Sequence, residues 1–228
     1  MNLTNPWTDY TFVAFDTETS GKYPLSAEVC EIAGVKWSKG KIVDTFQSFC
    51  KTRLPMNQRV IDIHKITNEM LVGASELHQV LPQFYEFIGD SITIAHHAPF
   101  DLGFLAFEFE QLKMSLPLGP TICSCLLAQG ILPKPHVINH RLATLVAHFG
   151  INQGQAHRAL DDSKACLEVA LRCFLKVDER LALTQPSSIA DLQKIFEVQG
   201  GPLHWSGFSL KQLENQEPLA SIIKASRE

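Results

Sequence analysis

The sequence has little excess charge of either sign. It carries 20 Lys and Arg against 24 Asp and Glu, which gives a formal net charge of −4. Proteins that coat nucleic acids need clustered Lys and Arg to displace counterions from the phosphates. The charge balance therefore argues against a protein that binds nucleic acid broadly through positive charge.

The sequence also lacks a long apolar run and a cysteine pair at short spacing. No stretch approaches the roughly 18 apolar residues of a membrane helix, and MNLTNPWTDYTF at residues 1–12 is not typical of a signal peptide. We therefore expect a soluble, cytoplasmic protein with no membrane partner. None of the 6 cysteines forms a C-x-x-C pair. With 45% apolar residues for a core, we expect reduced thiols and no dependence on disulfides.

What the sequence does contain is a series of short apolar runs in its first half. Runs at 10–17, 29–37 and 42–50 predict strands, and the turn Ser38-Lys39-Gly40 makes the last two an antiparallel hairpin. A helical pattern at 75–88 and a strand at 91–95 follow. A strand, a helix and a strand in this order predict a crossover onto a sheet, as in an α/β fold.

The second half is mostly helical by its apolar spacing. Helices are predicted at 101–114, 142–149 and 160–177. A linker at 185–188 precedes a short helix at 189–198 and a strand-like piece at 203–210. We expect one main domain at residues 8–180. The extension at 186–228 is too short for a core of its own, so we expect it to pack on the main domain or on a partner.

Two carboxylates end the first predicted strand. Side chains alternate between the faces of a strand, so Asp16 and Glu18 point the same way. Two neighbouring carboxylates repel each other, and a buried pair needs cations or Lys and Arg partners. The alternative is that the pair overhangs the end of the sheet into solvent.

Further acids follow later elements. Asp101 begins the helix after strand 91–95, and Asp161 and Asp162 begin the helix at 160–177, where each alone could simply complement the helix dipole. Together they occupy positions where an α/β sheet gathers ligand-binding residues. Four such carboxylates suit Mg²⁺ or Mn²⁺, and two ions can activate water at a phosphodiester. Histidine, here His157, is a side chain that can take the proton of that water.

Three motifs carry a resemblance to a known family. Residues 15–21 read FDTETSG, residues 95–101 read AHHAPFD, and residues 157–162 read H-x-A-x-x-D. In this order they resemble the DEDDh 3′–5′ exonucleases of the ribonuclease H-like superfamily, and the spacing selects Asp162 rather than Asp161. Weaker matches at 28–33 and 63–67 extend the resemblance over residues 10–177. Residues 100–109 are similar to the epsilon proofreading subunits of bacterial DNA polymerase III.

The resemblance implies a fold and a site. The fold is an α/β, ribonuclease H-like mixed five-stranded sheet, with its second strand antiparallel, flanked by helices. The expected cofactors are two divalent cations, Mg²⁺ or Mn²⁺. The ligands of these cations would be Asp16, Glu18, Asp101 and Asp162. The resemblance assigns His157 as the general base. The pocket for the terminal nucleotides would include Thr19, Ser20, His64 and Phe104.

The implied activity is removal of nucleotides from the 3′ end of single-stranded or frayed DNA, in preference to RNA, with release of 5′-mononucleotides. Proofreading or repair is the expected role, and a DNA polymerase or replisome subunit is an expected partner. An RNA-trimming exonuclease remains an alternative, as does a replisome subunit that acts mainly by docking. The sequence departs from the family pattern at Lys22, Lys65, His97 and Cys123, where Leu, Gly, Asn and Asp are usual. These departures concern how the terminal base is bound.

Overall fold

The computed structural model describes residues 3–111 and 121–192 and the backbone of residues 204–205. Within these residues, seven strands form one mixed sheet in the order β4-β3-β2-β1-β5-β6-β7. The five-stranded sheet expected from the sequence is confirmed as its centre, and two short strands, β4 and β7, extend its edges. The strands are β1 (Phe12–Thr19), β2 (Val29–Ser38), β3 (Lys41–Lys51), β4 (Ser75–Glu76), β5 (Ile92–Ala95), β6 (Thr121–Cys123) and β7 (His204–Trp205).

The strand directions bring the ends of β1 and β5 to the same edge of the sheet. β2 runs antiparallel to both β1 and β3, as expected, whereas β5 runs parallel to β1 and to β6. The turn between β2 and β3 consequently lies at the opposite end of the sheet from the carboxyl end of β1. In the β1–β2 register, Asp16 faces Ala33 and Glu18 faces Glu31.

Helices cover both faces of the sheet. On one face, the long helix α6 packs on β1 and β2 through a core that includes Phe12, Trp37 and Phe174. On the other face, α2 and α3 enclose a second core around Phe15 and Phe84. The helices are α1 (Gln58–His64), α2 (Leu77–Ile88), α3 (Pro99–Gln111), α4 (Ser124–Ile131), α5 (Leu142–Phe149) and α6 (Ala159–Arg180).

The cap of one predicted helix is wrong by one residue. The pattern at 75–88 makes Ser75 the N-cap, but Ser75 and Glu76 pair with the end of β3 as strand β4, and Glu76 is the N-cap. The helix begins at Leu77 because the side chains of Glu76 and Gln79 form a reciprocal capping box. Helices α1 and α4 and strand β6 are additional elements that the apolar pattern does not predict. Residues 112–114 of the helix predicted at 101–114 lie outside the described residues.

The beginning of the C-terminal extension contacts the main domain. The backbone N–H of Trp7 donates to the Ser187 carbonyl at 2.9 Å, and the Ser187 N–H donates to Asp178 Oδ1 at 2.8 Å. Ile189 and Leu192 are fully buried in the core beside α6. The helix predicted at 189–198 and the strand at 203–210 lie largely outside the described residues. In the described part of the chain, no helix is long and apolar enough to cross a membrane.

Candidate active site

The site begins at the carboxyl end of β1. Asp16 and Glu18 lie on the face that α6 covers, whereas the intervening Thr17 lies on the other face. The strand register places Glu31 of β2 directly opposite Glu18. Three carboxylates therefore share one face of two neighbouring strands, and the overhang into solvent considered for the first pair does not describe them.

The carboxylate of Asp101 comes from the first turn of α3 and is only 2% exposed. Both the backbone N–H and the hydroxyl of Thr17 donate to Asp101 Oδ1, at 3.0 and 2.7 Å. The two bonds connect α3 to β1 and fix the orientation of the carboxylate. The residue between the two strand acids thus positions the third acid of the site.

Asp162 and His157 come from the start of α6 and the loop before it. The His157 N–H donates to Asp162 Oδ2 at 2.9 Å, and the Gln153 amide donates to Asp162 Oδ1. His157 has a φ of 61°, a left-handed conformation that is uncommon for a residue with a side chain. Ligand atoms of Glu18, His157 and Asp162 all lie within 4.8 Å of one another. The imidazole is exposed at the mouth of the carboxylate cluster.

The neighbouring Asp161 has a different position. Its Oδ2 accepts a hydrogen bond from the Gln155 N–H at 2.9 Å, and its Oδ1 pairs with Lys164 at 3.3 Å. Asp161 therefore holds the loop before α6, whereas Asp162 faces the other carboxylates. This geometry supports the choice of Asp162 that the motif spacing indicates.

Burial raises the pKa of all four carboxylates, and neighbouring carboxylates raise those of Asp16 and Glu18 further. Burial, followed by the charge of Asp101, holds the pKa of Asp16 well above its ordinary range. Burial and the charge of Asp162 raise the pKa of Glu18 to about 8. Burial raises the pKa of Asp101 to about 7 despite the bonds from Thr17, and burial also raises the pKa of Asp162. The ionised cluster is therefore electrostatically unfavourable by itself.

A divalent cation fits this donor set. Over residues 3–111 and 121–192, no Lys or Arg forms an ion pair with any of the four carboxylates. Carboxylate oxygens are the ligands that hard cations prefer, and a positive ion would relieve the mutual repulsion. The positions of Asp16, Glu18, Asp101 and Asp162 are thus suited to a metal, with His157 beside them.

Glu31 is a site residue to which the sequence analysis gives no role. Its carboxylate is fully buried and accepts hydrogen bonds from Arg158 Nη2 at 3.1 Å and from the Ala159 N–H at 3.1 Å. Gln47 Nε2 donates a further bond at 2.7 Å. Glu31 thereby connects β2 to the residues between His157 and α6. The sequence signal for Glu31 is a carboxylate inside an otherwise apolar strand, because a buried acid is rare unless it has a polar or charged partner.

The four residues predicted to contact nucleotides come from the end of β1, the end of α1 and α3. Thr19 ends β1 and its hydroxyl donates to the Gly21 carbonyl, whereas Ser20 follows β1 and exchanges hydrogen bonds with Glu28. His64 is 2% exposed, and its Nδ1 accepts from the Ile66 N–H at 3.0 Å. Phe104 has no exposed surface and packs in the core beside α3. Contact of these four residues with a nucleotide stays a prediction.

Two of the departures from the family pattern adopt left-handed backbone. Lys65 ends α1 with a φ of 61°, and His97 precedes α3 with a φ of 62°. Glycine is the residue that adopts this conformation without strain, which accounts for the usual glycine at the position of Lys65. Cys123 is buried at the end of β6, and Lys22 is exposed in the turn after β1.

Comparisons with known proteins agree with this geometry. The RNase_T family model, described as an exonuclease, matches residues 13–170, which include the four carboxylates and His157. A relative from Halalkalibacterium halodurans, DNA polymerase III PolC-type, is 36% identical over 175 residues, which is 77% of this chain and 12% of the relative. The chain therefore spans about an eighth of the length of such relatives.

Solved structures give the same fold. Exonuclease X in complex with 5′ overhanging duplex DNA is 25% identical, with a TM-score of 0.59 over 81% of this chain and 99% of the other. The nuclease domain of 3′hExo, a DEDDh family member bound to rAMP, is 18% identical, with a TM-score of 0.63 over 80% of this chain and 98% of the other.

The fold and the family match together define the class, an α/β exonuclease domain. The chain belongs to the exonuclease family, so the resemblance drawn from its three motifs is confirmed. Members of this family generally use divalent metal ions, and the carboxylates of this chain fit that requirement.

Proposed function

We propose that the protein is a 3′–5′ exonuclease that removes nucleotides one at a time from DNA and releases 5′-mononucleotides. The observation that carries the proposal is the complete set of four mutually repelling carboxylates with His157 at their mouth. Membership of the exonuclease family and the polymerase relatives support it. The PolC-type relatives, whose printed name is that of a DNA polymerase, favour DNA over RNA as the substrate class.

In the proposed mechanism, Asp16, Glu18, Asp101 and Asp162 hold two divalent cations, Mg²⁺ or Mn²⁺. Such ions supply positive charge that lowers the pKa of water and stabilises charge on phosphate oxygens. His157 accepts the proton from the attacking water, because its exposed imidazole lies beside Glu18 and Asp162. Glu31 and Thr17 position the start of α6 and Asp101, respectively.

The substrate end would lie over the turn after β1. Thr19, Ser20, His64 and Phe104 form or support the pocket for the terminal nucleotides in this proposal. Tyr23 and Leu25, which are 39% and 37% exposed in the same turn, are the candidates for an apolar wedge against the terminal base. Such a wedge favours single-stranded or frayed ends, where the base is already unstacked.

The test is substitution of Asp16 and His157 separately by Ala. Each variant, shown to be folded by circular dichroism and assayed with Mn²⁺ on single-stranded DNA, should lose hydrolysis by about two to four orders of magnitude. Lys39→Ala, at an exposed position in the β2–β3 turn at the opposite end of the sheet, is the control and should retain activity. Activity retained by either site variant would refute the mechanism. Faster digestion of matched RNA than of DNA would instead favour the RNA-trimming alternative.

We further propose a polymerase context, with proofreading or repair as the role and a DNA polymerase or replisome subunit as partner. The PolC-type relatives support this assignment, because their printed name is that of a polymerase. The extension at 186–228 is the candidate docking segment. A truncation should end after Leu192 rather than before Ser187, because Ile189 and Leu192 belong to the core. Equal binding of a purified polymerase subunit by full-length and truncated protein would contradict docking through residues 193–228.

A further inference from the structure

A concave surface is lined by the turn that leads from β5 to Asp101 in the first turn of α3. It is a pocket of about 470 Å³ between the turn that joins β5 to α3 and the loop that joins α4 to α5. We refer to it as the cationic pocket. Its polar and basic lining includes His97, Gln129, Lys134, Asn139, His140 and Arg141.

Hydrogen bonds between the two loops build the walls of this pocket. His140 Nε2 donates to the Leu132 carbonyl at 2.8 Å, which closes the α4–α5 loop. His96 Nε2 donates to the His140 carbonyl at 3.0 Å, which joins that loop to the β5–α3 turn. Asn139 Oδ1 accepts from the Arg141 N–H at 3.0 Å and from the Thr144 hydroxyl at 2.7 Å. The backbone around the pocket is therefore fixed before any ligand binds.

The charge of the pocket is opposite to that of the chain as a whole. Lys134 and Arg141 are both exposed, and the described residues that line the pocket include no acid. Neither side chain forms an ion pair with a residue in the described part of the chain. Two permanent cations in a concave surface without a carboxylate attract an anion, and a phosphate is the anion that Arg and Lys bind most readily.

Contacts through the core link the wall of the pocket to the elements that carry the carboxylates. His96 Nδ1 lies 2.8 Å from Ser124 Oγ, and Ser124 Oγ lies 3.4 Å from Cys166 Sγ. Cys166 is on α6, one helical turn after Asp162. Two buried side chains, Ser124 and Cys166, thus link the pocket wall to the helix that carries Asp162.

We propose that the cationic pocket binds backbone phosphates of the same nucleic-acid strand whose 3′ end occupies the carboxylate site, an inference that rests on the proposed function. The terminal nucleotides are held at the carboxylates, and the strand leaves that site as a chain of phosphates. Lys134 and Arg141 provide positive charge for those phosphates. The pocket would thereby increase affinity for a polynucleotide without contributing to the chemical step.

The test uses a variant with Lys134→Gln and Arg141→Gln together. The matched control combines Lys39→Gln and Lys41→Gln, two exposed cations on the β2–β3 turn at the opposite end of the sheet. Two substrates are compared, single-stranded oligothymidylate and the p-nitrophenyl ester of thymidine 5′-monophosphate, which has no further backbone phosphate. For the pocket variant we expect a KM on the oligonucleotide raised by about 3- to 10-fold. Its kcat, and its kinetics on the ester, should match those of the wild type and the control.

A binding measurement gives a second readout that needs no hydrolysis. Each phosphate contact on a single strand contributes about 0.7 to the slope of log affinity against log salt, so the pocket variant should lose about 1.4 from that slope in the presence of chelator. An unchanged KM and slope would overturn the proposal, as would weaker binding of thymidine monophosphate with unchanged binding of the oligonucleotide. If the wild type hydrolyses neither substrate, the proposed function fails, and the salt slope still decides whether the pocket binds the strand.

Discussion

Replacing Glu18 by Gln should make the metal-free protein more stable at neutral pH. Burial and the charges of Asp162 and Glu31 raise the pKa of Glu18 from 4.5 to about 8. The folded state therefore binds this proton more tightly than the unfolded chain does. Stability is greatest below the ordinary pKa and falls as the pH rises toward the folded-state value, because ionisation is easier in the unfolded chain.

The size of the effect follows from the shift. A pH of about 7 is about 2.5 units above the pKa of the Glu18 carboxyl in the unfolded chain, whereas the same carboxyl in the folded state is still mostly protonated. At about 1.4 kcal/mol per unit, the acid costs the folded state about 3 kcal/mol at this pH. Part of this cost is shared with the neighbouring carboxylates, so we expect Glu18→Gln to raise the free energy of unfolding by about 1–3 kcal/mol.

The assay is urea denaturation in chelator at several pH values between about 5 and about 8. Glu18→Gln should differ little from the wild type near pH 5 and should become more stable than the wild type as the pH rises. Excess Mg²⁺ should reduce or reverse the difference in the free energy of unfolding between the variant and the wild type, because a cation stabilises the ionised cluster of the wild type. Glu86→Gln, an exposed acid on α2, is the control and should show no such trend. A variant no more stable than the wild type at about pH 8 would refute the reasoning.

Three further substitutions test individual contacts. Glu31→Ala removes the acceptor of Arg158 and should cost about 1–3 kcal/mol of stability and lower kcat. Glu31→Gln keeps an acceptor and should recover part of both losses. Equal kinetics of the wild type and both variants would exclude a positioning role. Thr17→Val removes a hydrogen bond that lowers the pKa of Asp101. The acid limb of the pH–rate profile should therefore move to higher pH, and an unchanged acid limb would contradict this reasoning. Phe104→Ala should cost about 3–5 kcal/mol in urea denaturation, because the side chain is fully buried, and a smaller loss accompanied by a raised KM would place it at the nucleotide instead.

The centre of the sheet is predictable from the sequence because its strands are long and apolar. β1, β2 and β3 appear within two residues of their predicted ends, and the antiparallel hairpin follows from a turn with glycine at Gly40. β6 has only three residues, and α1 only seven, so neither gives a period that can be recognised. Their formation depends on contacts with β5 and β2 that are distant in the sequence.

The same distinction between local patterns and long-range contacts applies to the residues of the site. Strand alternation is sufficient to place Asp16 and Glu18 on one face, because the period of a strand is local. The contact of Thr17 with Asp101 spans 84 residues, and the contact of Glu31 with Arg158 spans 127. Pairings at such separations depend on the packing of whole elements, and for this reason a single sequence does not reveal the residues that position the carboxylates.

The most direct test of the central claim is the direction of digestion. Single-stranded DNA labelled at either its 5′ or its 3′ end is incubated with the protein and Mg²⁺, and the labelled products are separated by length. The account predicts immediate release of a labelled 5′-mononucleotide from the 3′-labelled strand and a ladder of progressively shorter products from the 5′-labelled strand, with neither seen for His157→Ala. A ladder from the 3′-labelled strand, or internal fragments from both strands, would contradict it.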